Sequence, residues 1–149
     1  MKLFELHETT VVYLDLDETL IHTSQHGPVA DEYIEVSAGF TSPRPHMFDF
    51  LDSLKTSGYN INLMTYGTRA YAKEVLDKLD IEKYFNQVLA REDILEIYET
   101  NKSALPSGIL VDNEMPFHKV NLVYGKKIKV SSWTGQADDR ELLRVLRIL

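Results

Sequence analysis

The stretch VVYLDLDETLIHT, residues 11–23, decides how the rest of the chain is read. A run of strand-forming apolar residues ends in two aspartates one residue apart, and a threonine follows two positions later. If Val11–Leu16 is extended, Asp15 and Asp17 project from one side and Leu16 from the other, with Cα atoms about 6–7 Å apart. One aspartate at the carboxyl end of a strand is ordinary, because Asp and Thr favour the turns and caps that follow strands. Two on one face are not, since neighbouring carboxylates raise each other's pKa unless a cation or hydrogen bonds offset the repulsion. The pair therefore asks for something positive between them.

Beyond this stretch, the runs INLMT (61–65), QVLA (87–90), GILVD (108–112) and NLVY (121–124) are short and rich in branched residues, as buried parallel strands are. Helical spacing lies between them. Pro45 to Ser57 sets Met47, Phe48, Phe50, Leu51 and Leu54 on one face and is followed by Gly58; Arg69 to Asp80 does the same with Tyr71, Val75, Leu76 and Leu79. Asp138 to Leu149 opens with acids and gathers Leu142, Leu143, Val145 and Leu146. Alternating strands and helices predict an α/β fold: a central parallel sheet with helices on both faces and a ligand site at the carboxyl ends of its strands. The acidic pair falls at that rim. The roughly 25 residues between Asp17 and the helix near Pro45 hold a strand-like segment, Tyr33–Ser37, and predict a small flap or β-hairpin at about 24–42 rather than a large cap. Tyr33 and Phe40 within it are candidates for substrate contact.

Length and composition bound the function. The 149 residues suit one domain spanning 1–149, and 44% apolar with 26% charged residues is ordinary for a globular chain. No stretch has the length of a membrane span or a signal peptide's pattern, so a soluble intracellular protein with no membrane partner is expected, and a monomer suffices. Cysteine is absent. Any metal must then use oxygen or imidazole ligands, which favours a hard cation such as Mg2+. A net charge of -7 argues against a broad nucleic-acid surface. The run Gly125-Lys126-Lys127-Ile128-Lys129 reads as a solvated edge or turn.

Further reactive groups fall near the same rim. Thr65 closes INLMT, Lys102 precedes GILVD, and Asp112 and Asn113 close it. Singly, each has an everyday reading as a cap, a surface lysine or a turn. Together with Asp15 and Asp17 they offer oxygen ligands for magnesium and donors for an anion, which is what phosphoryl transfer needs. His22 and His26 read as surface groups and Trp133 as a packing anchor. Arg69, one residue beyond Thr68 near a helix amino end, could contact a bound substrate or simply cap the surface.

These motifs carry a resemblance. LDLDETLIHT resembles the first motif of the haloacid dehalogenase superfamily, in the form used by phosphatases of the carboxy-terminal domain of RNA polymerase II. SPRPHMFDFL is similar to that family's arginine–proline lead-in to its first helix, and INLMTYGTRAYAKEVLDKLDI to its threonine-bearing second motif. VLARED, NKSALPSGILVDNE and KVSSWTGQADDRELLRVLRIL follow in family order, so the likeness covers nearly the whole chain. The interval from Lys102 to Asp112 is short for the family. The resemblance implies a Rossmann-like fold and a magnesium-dependent phosphatase working through an aspartyl phosphate. In it Asp15 is the nucleophile and Asp17 the general acid and then base. Thr65 and Lys102 hold phosphoryl oxygens, with Thr68 and Arg69 beside the substrate, and Asp15, Asp17, Asn113 and Asp112 serve the metal. A phosphoserine or phosphothreonine segment of a protein suits an open site without a cap. The alternatives are a small-molecule or nucleotide phosphatase of the same superfamily, a non-catalytic phosphopeptide binder, and a receiver-like module. The last is disfavoured because its acids are adjacent and its phospho-accepting aspartate lies on the third strand.

Overall fold

The computed structural model describes residues 9–100 and 105–149. Five parallel strands, β1 (Val11–Leu14), β5 (Asn60–Met64), β6 (Gln87–Leu89), β7 (Ile109–Asp112) and β8 (Lys127–Lys129), form one sheet in the order β6-β5-β1-β7-β8. β1 is central, with Val12 opposite Ile61 on one side and Ile109 on the other. Its four residues are all buried, which is why this run carries no alternation of polar and apolar residues.

The period-two rule divides β1 between two cores. Val12 and Leu14 join a cluster with Leu51, Leu54, Val75, Leu76 and Leu142, from the helices α1 (Met47–Thr56), α2 (Arg69–Leu79) and α5 (Glu141–Ile148). Val11 and Tyr13 face Ile94, Leu122 and Val123 on the opposite side, where α3 (Arg91–Thr100) and α4 (Phe117–Leu122) pack. Continued beyond the strand, this alternation sends Leu16 into the first core and Asp15 toward the α4 side.

After Asp17 the chain turns sharply. Leu16's carbonyl accepts from the backbone N–H of Leu20 at 2.9 Å, and Glu18 takes a left-handed φ of 62°. The turn feeds a second, antiparallel sheet of three strands, β2 (Ile21–Ser24), β3 (Ile34–Val36) and β4 (Gly39–Pro43), ordered β2-β4-β3. The predicted flap is thus a three-stranded sheet rather than a strand pair, because the residues just after the acidic motif also pair, Ile21 with Pro43 and Thr23 with Thr41.

One sequence expectation needs correcting. NLVY (121–124) is not a strand: Asn121 and Leu122 end α4, and the fifth strand is Lys127–Lys129 instead. A short apolar run does not by itself distinguish a helix end from a strand. β8 is an edge strand, so its lysines can flank Ile128 without being buried. The helix α3, which has no counterpart among the predicted helices, buries Ile94 and half-buries Ile97 and Tyr98 at helical spacing.

Candidate active site

Asp15 stands just past β1, its backbone N–H donating to the Val111 carbonyl at 3.0 Å, and the residue is 7% exposed. Lys119 Nζ donates to its Oδ1 at 2.7 Å and to Asp112 Oδ2 at 2.8 Å. Thr19 Oγ1 donates to Oδ2 at 3.0 Å. The motif's threonine therefore turns back under its first aspartate. Asp15, Asp17, Thr65, Asp112, Asn113 and Lys119 all line one cavity of about 350 Å³.

Two anchors shape the turn that carries the acids. Arg44 is buried and bidentate on Asp139, with Nε at 2.7 Å and Nη2 at 2.9 Å, while Nη1 donates to the carbonyls of Glu18 and Thr19. Trp133, also buried, donates its backbone N–H to the Glu18 carbonyl at 2.9 Å, and its indole N–H to Gln136. Thr65 Oγ1 accepts the Gly67 N–H at 3.0 Å, which folds the turn after β5 onto itself.

Burial pushes the Asp15 carboxyl up to about 7; Lys119 pulls it back and Asp112 pushes it up again. Asp17 is also raised, by burial first, against the Tyr71 hydroxyl and His22, which favour its ionised form. Burial disfavours the Lys119 ammonium, but Asp15 and Asp112 more than offset that, and its pKa stands above the ordinary value.

The oxygen set fits a hard cation. Asp15, Asp17, Asp112 and the Asn113 amide line the cavity, although among the described residues no three His, Asp or Glu side chains group to hold an ion by themselves. In one orientation the Asn113 amide oxygen sits 2.9 Å from Asp15 Oδ2 and 3.2 Å from Asp112 Oδ1, while its nitrogen donates to Ser132 Oγ at 2.8 Å. Turned over, its nitrogen donates to both carboxylates and its oxygen accepts from Ser132. The second is the satisfied arrangement, because the first sets the amide oxygen against two carboxylate oxygens.

Not every residue singled out in the sequence meets here. Thr68 caps α2 through the Tyr71 N–H and lines an adjoining cavity that shares Asp17. Arg69 turns away to Asp93, at 2.5 Å, and does not line the cavity of Asp15. Tyr33 is exposed and packs edge-on to Phe40 at 5.9 Å. His22 pairs with Glu18 at 2.9 Å, and His26 is exposed. Lys102 lies outside the described residues. The lysine on Asp15 is Lys119, which sequence reasoning did not single out. Its signal was its place: three and four residues before Leu122 and Val123, it lies on the apolar face of a short helix, where an unpaired lysine would be costly.

A family model, NLI interacting factor-like phosphatase, matches residues 10–149. The chain is 32% identical over 154 residues to a probable C-terminal domain small phosphatase of Dictyostelium discoideum, covering 91% of this chain and 48% of the relative. To a C-terminal domain phosphatase of RNA polymerase II from Homo sapiens it is 28% identical over 145 residues, covering 84% of this chain and 15% of the relative. It thus spans less than half the length of these relatives. Among solved structures, the fission yeast RNA polymerase II CTD phosphatase Fcp1 bound to beryllium fluoride matches with a TM-score of 0.57 at 22% identity, over 88% of this chain and 43% of that one. A haloacid dehalogenase-like hydrolase of Streptococcus pneumoniae matches with a TM-score of 0.60 at 16% identity, over 94% and 98%. At these identities the structural likeness speaks to the fold, which is that of the haloacid dehalogenases, and the match along nearly the entire chain places it in the NLI interacting factor-like phosphatase family.

Proposed function

We propose that this chain is a magnesium-dependent phosphomonoesterase that works through an aspartyl phosphate on Asp15 and acts on phosphoserine or phosphothreonine in protein segments. The carrying observation is the environment of Asp15: one carboxylate oxygen on a buried ammonium, the other on Thr19 and beside Asn113, at the base of an open cavity. An oxygen held in this way has few rotamers to lose before it meets phosphorus in line.

Asp15, the Asp17 main-chain carbonyl and Asn113 would hold the magnesium ion, with Asp112 fixing Lys119 and the ion's waters. Bound there, it supplies charge neutralisation on the phosphoryl oxygens and lowers the pKa of Asp15. Lys119 and Thr65 hold phosphoryl oxygens through the ammonium and hydroxyl. Among the described residues Lys119 Nζ has two acceptors and it carries three protons, which leaves one N–H for the substrate. Asp17, whose pKa is raised by burial, keeps a proton for the leaving oxygen and afterwards takes one from the attacking water. The insertion after the acidic turn forms only a small three-stranded sheet, which suits a phosphorylated residue on an extended segment. The C-terminal domain relatives support a protein substrate.

The test is phosphate release with Mg2+ from an aryl phosphate, then from phosphopeptides, nucleotides and sugar phosphates, with Asp15→Asn as the control. Metal-dependent release that Asp15→Asn abolishes, greatest on phosphopeptides, is expected. Release by the variant equal to wild type ends the mechanism, and preference for nucleotides or sugars ends the protein-substrate assignment.

A further inference from the structure

Asp17 sits at the end of a line of hydroxyls that runs back into the antiparallel sheet. The Tyr71 hydroxyl, on α2, donates to Asp17 Oδ1 at 2.7 Å. It lies 2.6 Å from Thr23 Oγ1 on β2, which in turn lies 2.6 Å from Thr41 Oγ1 on β4, a fully buried residue. A carboxylate only accepts, so when Asp17 is ionised the Tyr71 proton points at Oδ1. Tyr71's oxygen must then accept from Thr23, and Thr23's from Thr41. All three donors point toward Asp17, and a one-way chain of this kind strengthens its last bond.

The ring is fixed from another side as well. A Cβ at Gly67 would come within 2.9 Å of Tyr71 Cδ2 and 3.3 Å of Thr65 Oγ1. The missing side chain at 67 lets Tyr71 pack against the turn that presents Thr65.

We propose that Tyr71 is a positioning residue for Asp17: by donating to Oδ1 it leaves Oδ2 as the oxygen that carries and moves the proton. This rests on the phosphomonoesterase reading. In the first half-reaction an Asp15 oxygen bonds to phosphorus, the ester P–O bond breaks, and the proton on Asp17 Oδ2 passes to the departing alkoxide. In the second, Oδ2 takes a proton from water as the water oxygen bonds to phosphorus and the P–O bond to Asp15 breaks. A hydrogen bond that merely holds the fold together affects every substrate alike. One that aims a proton matters most where the leaving group needs that proton.

The experiment compares kcat/KM, which stops at the first irreversible step, for Tyr71→Phe on an alkyl phosphate such as a phosphoserine peptide and on p-nitrophenyl phosphate. The alkyl substrate is expected to lose about ten- to a hundredfold and the aryl substrate less than about threefold, since a good leaving group departs unprotonated. Thr23→Val, which removes the donor behind Tyr71, is expected to show the same skew in smaller measure. Equal losses on both substrates, or no loss on the alkyl one, overturn the role of Tyr71. Failure of wild-type protein with Mg2+ to hydrolyse either substrate removes the phosphatase reading itself, and this role with it; wild-type turnover with an unskewed loss removes this role alone.

Discussion

Arg44 and Lys119 are both 1% exposed, both lean on carboxylates, and both grip the acidic motif, yet they are built for opposite ends. Arg44 spends every N–H it has: Nε and Nη2 on Asp139, Nη1 on the Glu18 and Thr19 carbonyls, and Nη2 again on Ser131. Lys119 gives two of its protons to Asp15 and Asp112, and its third has no acceptor among the described residues, only the Tyr66 ring with its centroid 5.4 Å away. A saturated buried cation is a fastening, whereas one held short of a partner can still recruit an anion. The contrast separates the half of the turn that is scaffold from the half that we propose does chemistry.

The largest effect on stability is expected at Arg44. Arg44→Met leaves the Asp139 carboxylate and two backbone carbonyls facing an apolar stem, and a loss of about 3–5 kcal/mol in stability is expected from orphaning a buried charge. Urea unfolding measures it. A loss below about 1 kcal/mol would mean that the turn is held elsewhere, with Trp133 the first place to look.

Lys119→Met reads the other half. Asp15, whose carboxyl burial already pushes up, is then without the ammonium and takes up a proton, which softens the cost in stability below that of Arg44→Met. Activity bears the larger share: kcat/KM is expected to fall about 10²–10³-fold, the usual effect of removing one preorganised donor to a developing charge. Lys119→Arg is not expected to restore it, because the planar fork does not fit where a compact ammonium bridges two carboxylates. Steady-state kinetics beside a melting curve separates the two effects; a variant within tenfold of wild type would return the phosphoryl-binding role to another cation, Lys102 or Arg91, which also lines the cavity of Asp15.

How much of this was legible in the sequence follows the same division. VVYL could be read as a buried central strand because four branched or aromatic residues in a row leave no solvent face, and α1, α2 and α5 because their apolar residues recur at helical spacing over ten, eleven and eight residues. The rim position of Asp15, Asp17, Thr65, Asp112 and Asn113 follows from the ends of those strands. Lys119 did not, because nothing local marks which lysine a fold buries: α4 is only six residues long, and its NLVY end mimics a strand. Arg69 is near the site in sequence but pairs with Asp93 in space. Tyr71 was visible only as an apolar position of α2, since a hydroxyl's partner 54 residues away leaves no local pattern.

The smallest effect lies at the solvent edge of the Arg44 anchor, where charge pairs are exposed instead of buried. Glu141 receives the Arg144 guanidinium, Nε to Oε1 at 2.6 Å, and the Ser131 N–H at 2.9 Å on Oε2. The Arg144 hydrogen bond, chiefly, with help from Ser131, brings the Glu141 carboxyl down from 4.5 to about 2. A folded-state pKa below the unfolded one stabilises the fold above the unfolded value, and that contribution fades as pH falls from about 4.5 toward about 2. The Arg144 side chain is 40% exposed, so solvent screening keeps the worth of the pair below about 1 kcal/mol. Urea unfolding of wild type and Glu141→Gln should therefore show a small gap at about pH 7 that narrows as the pH is lowered from about 4.5 and closes only near about pH 2. A gap that widens on acidification would reverse the sign of the linkage, and one rivalling that of Arg44→Met would mean that the fastening extends to the surface and that saturation alone does not distinguish the two cations.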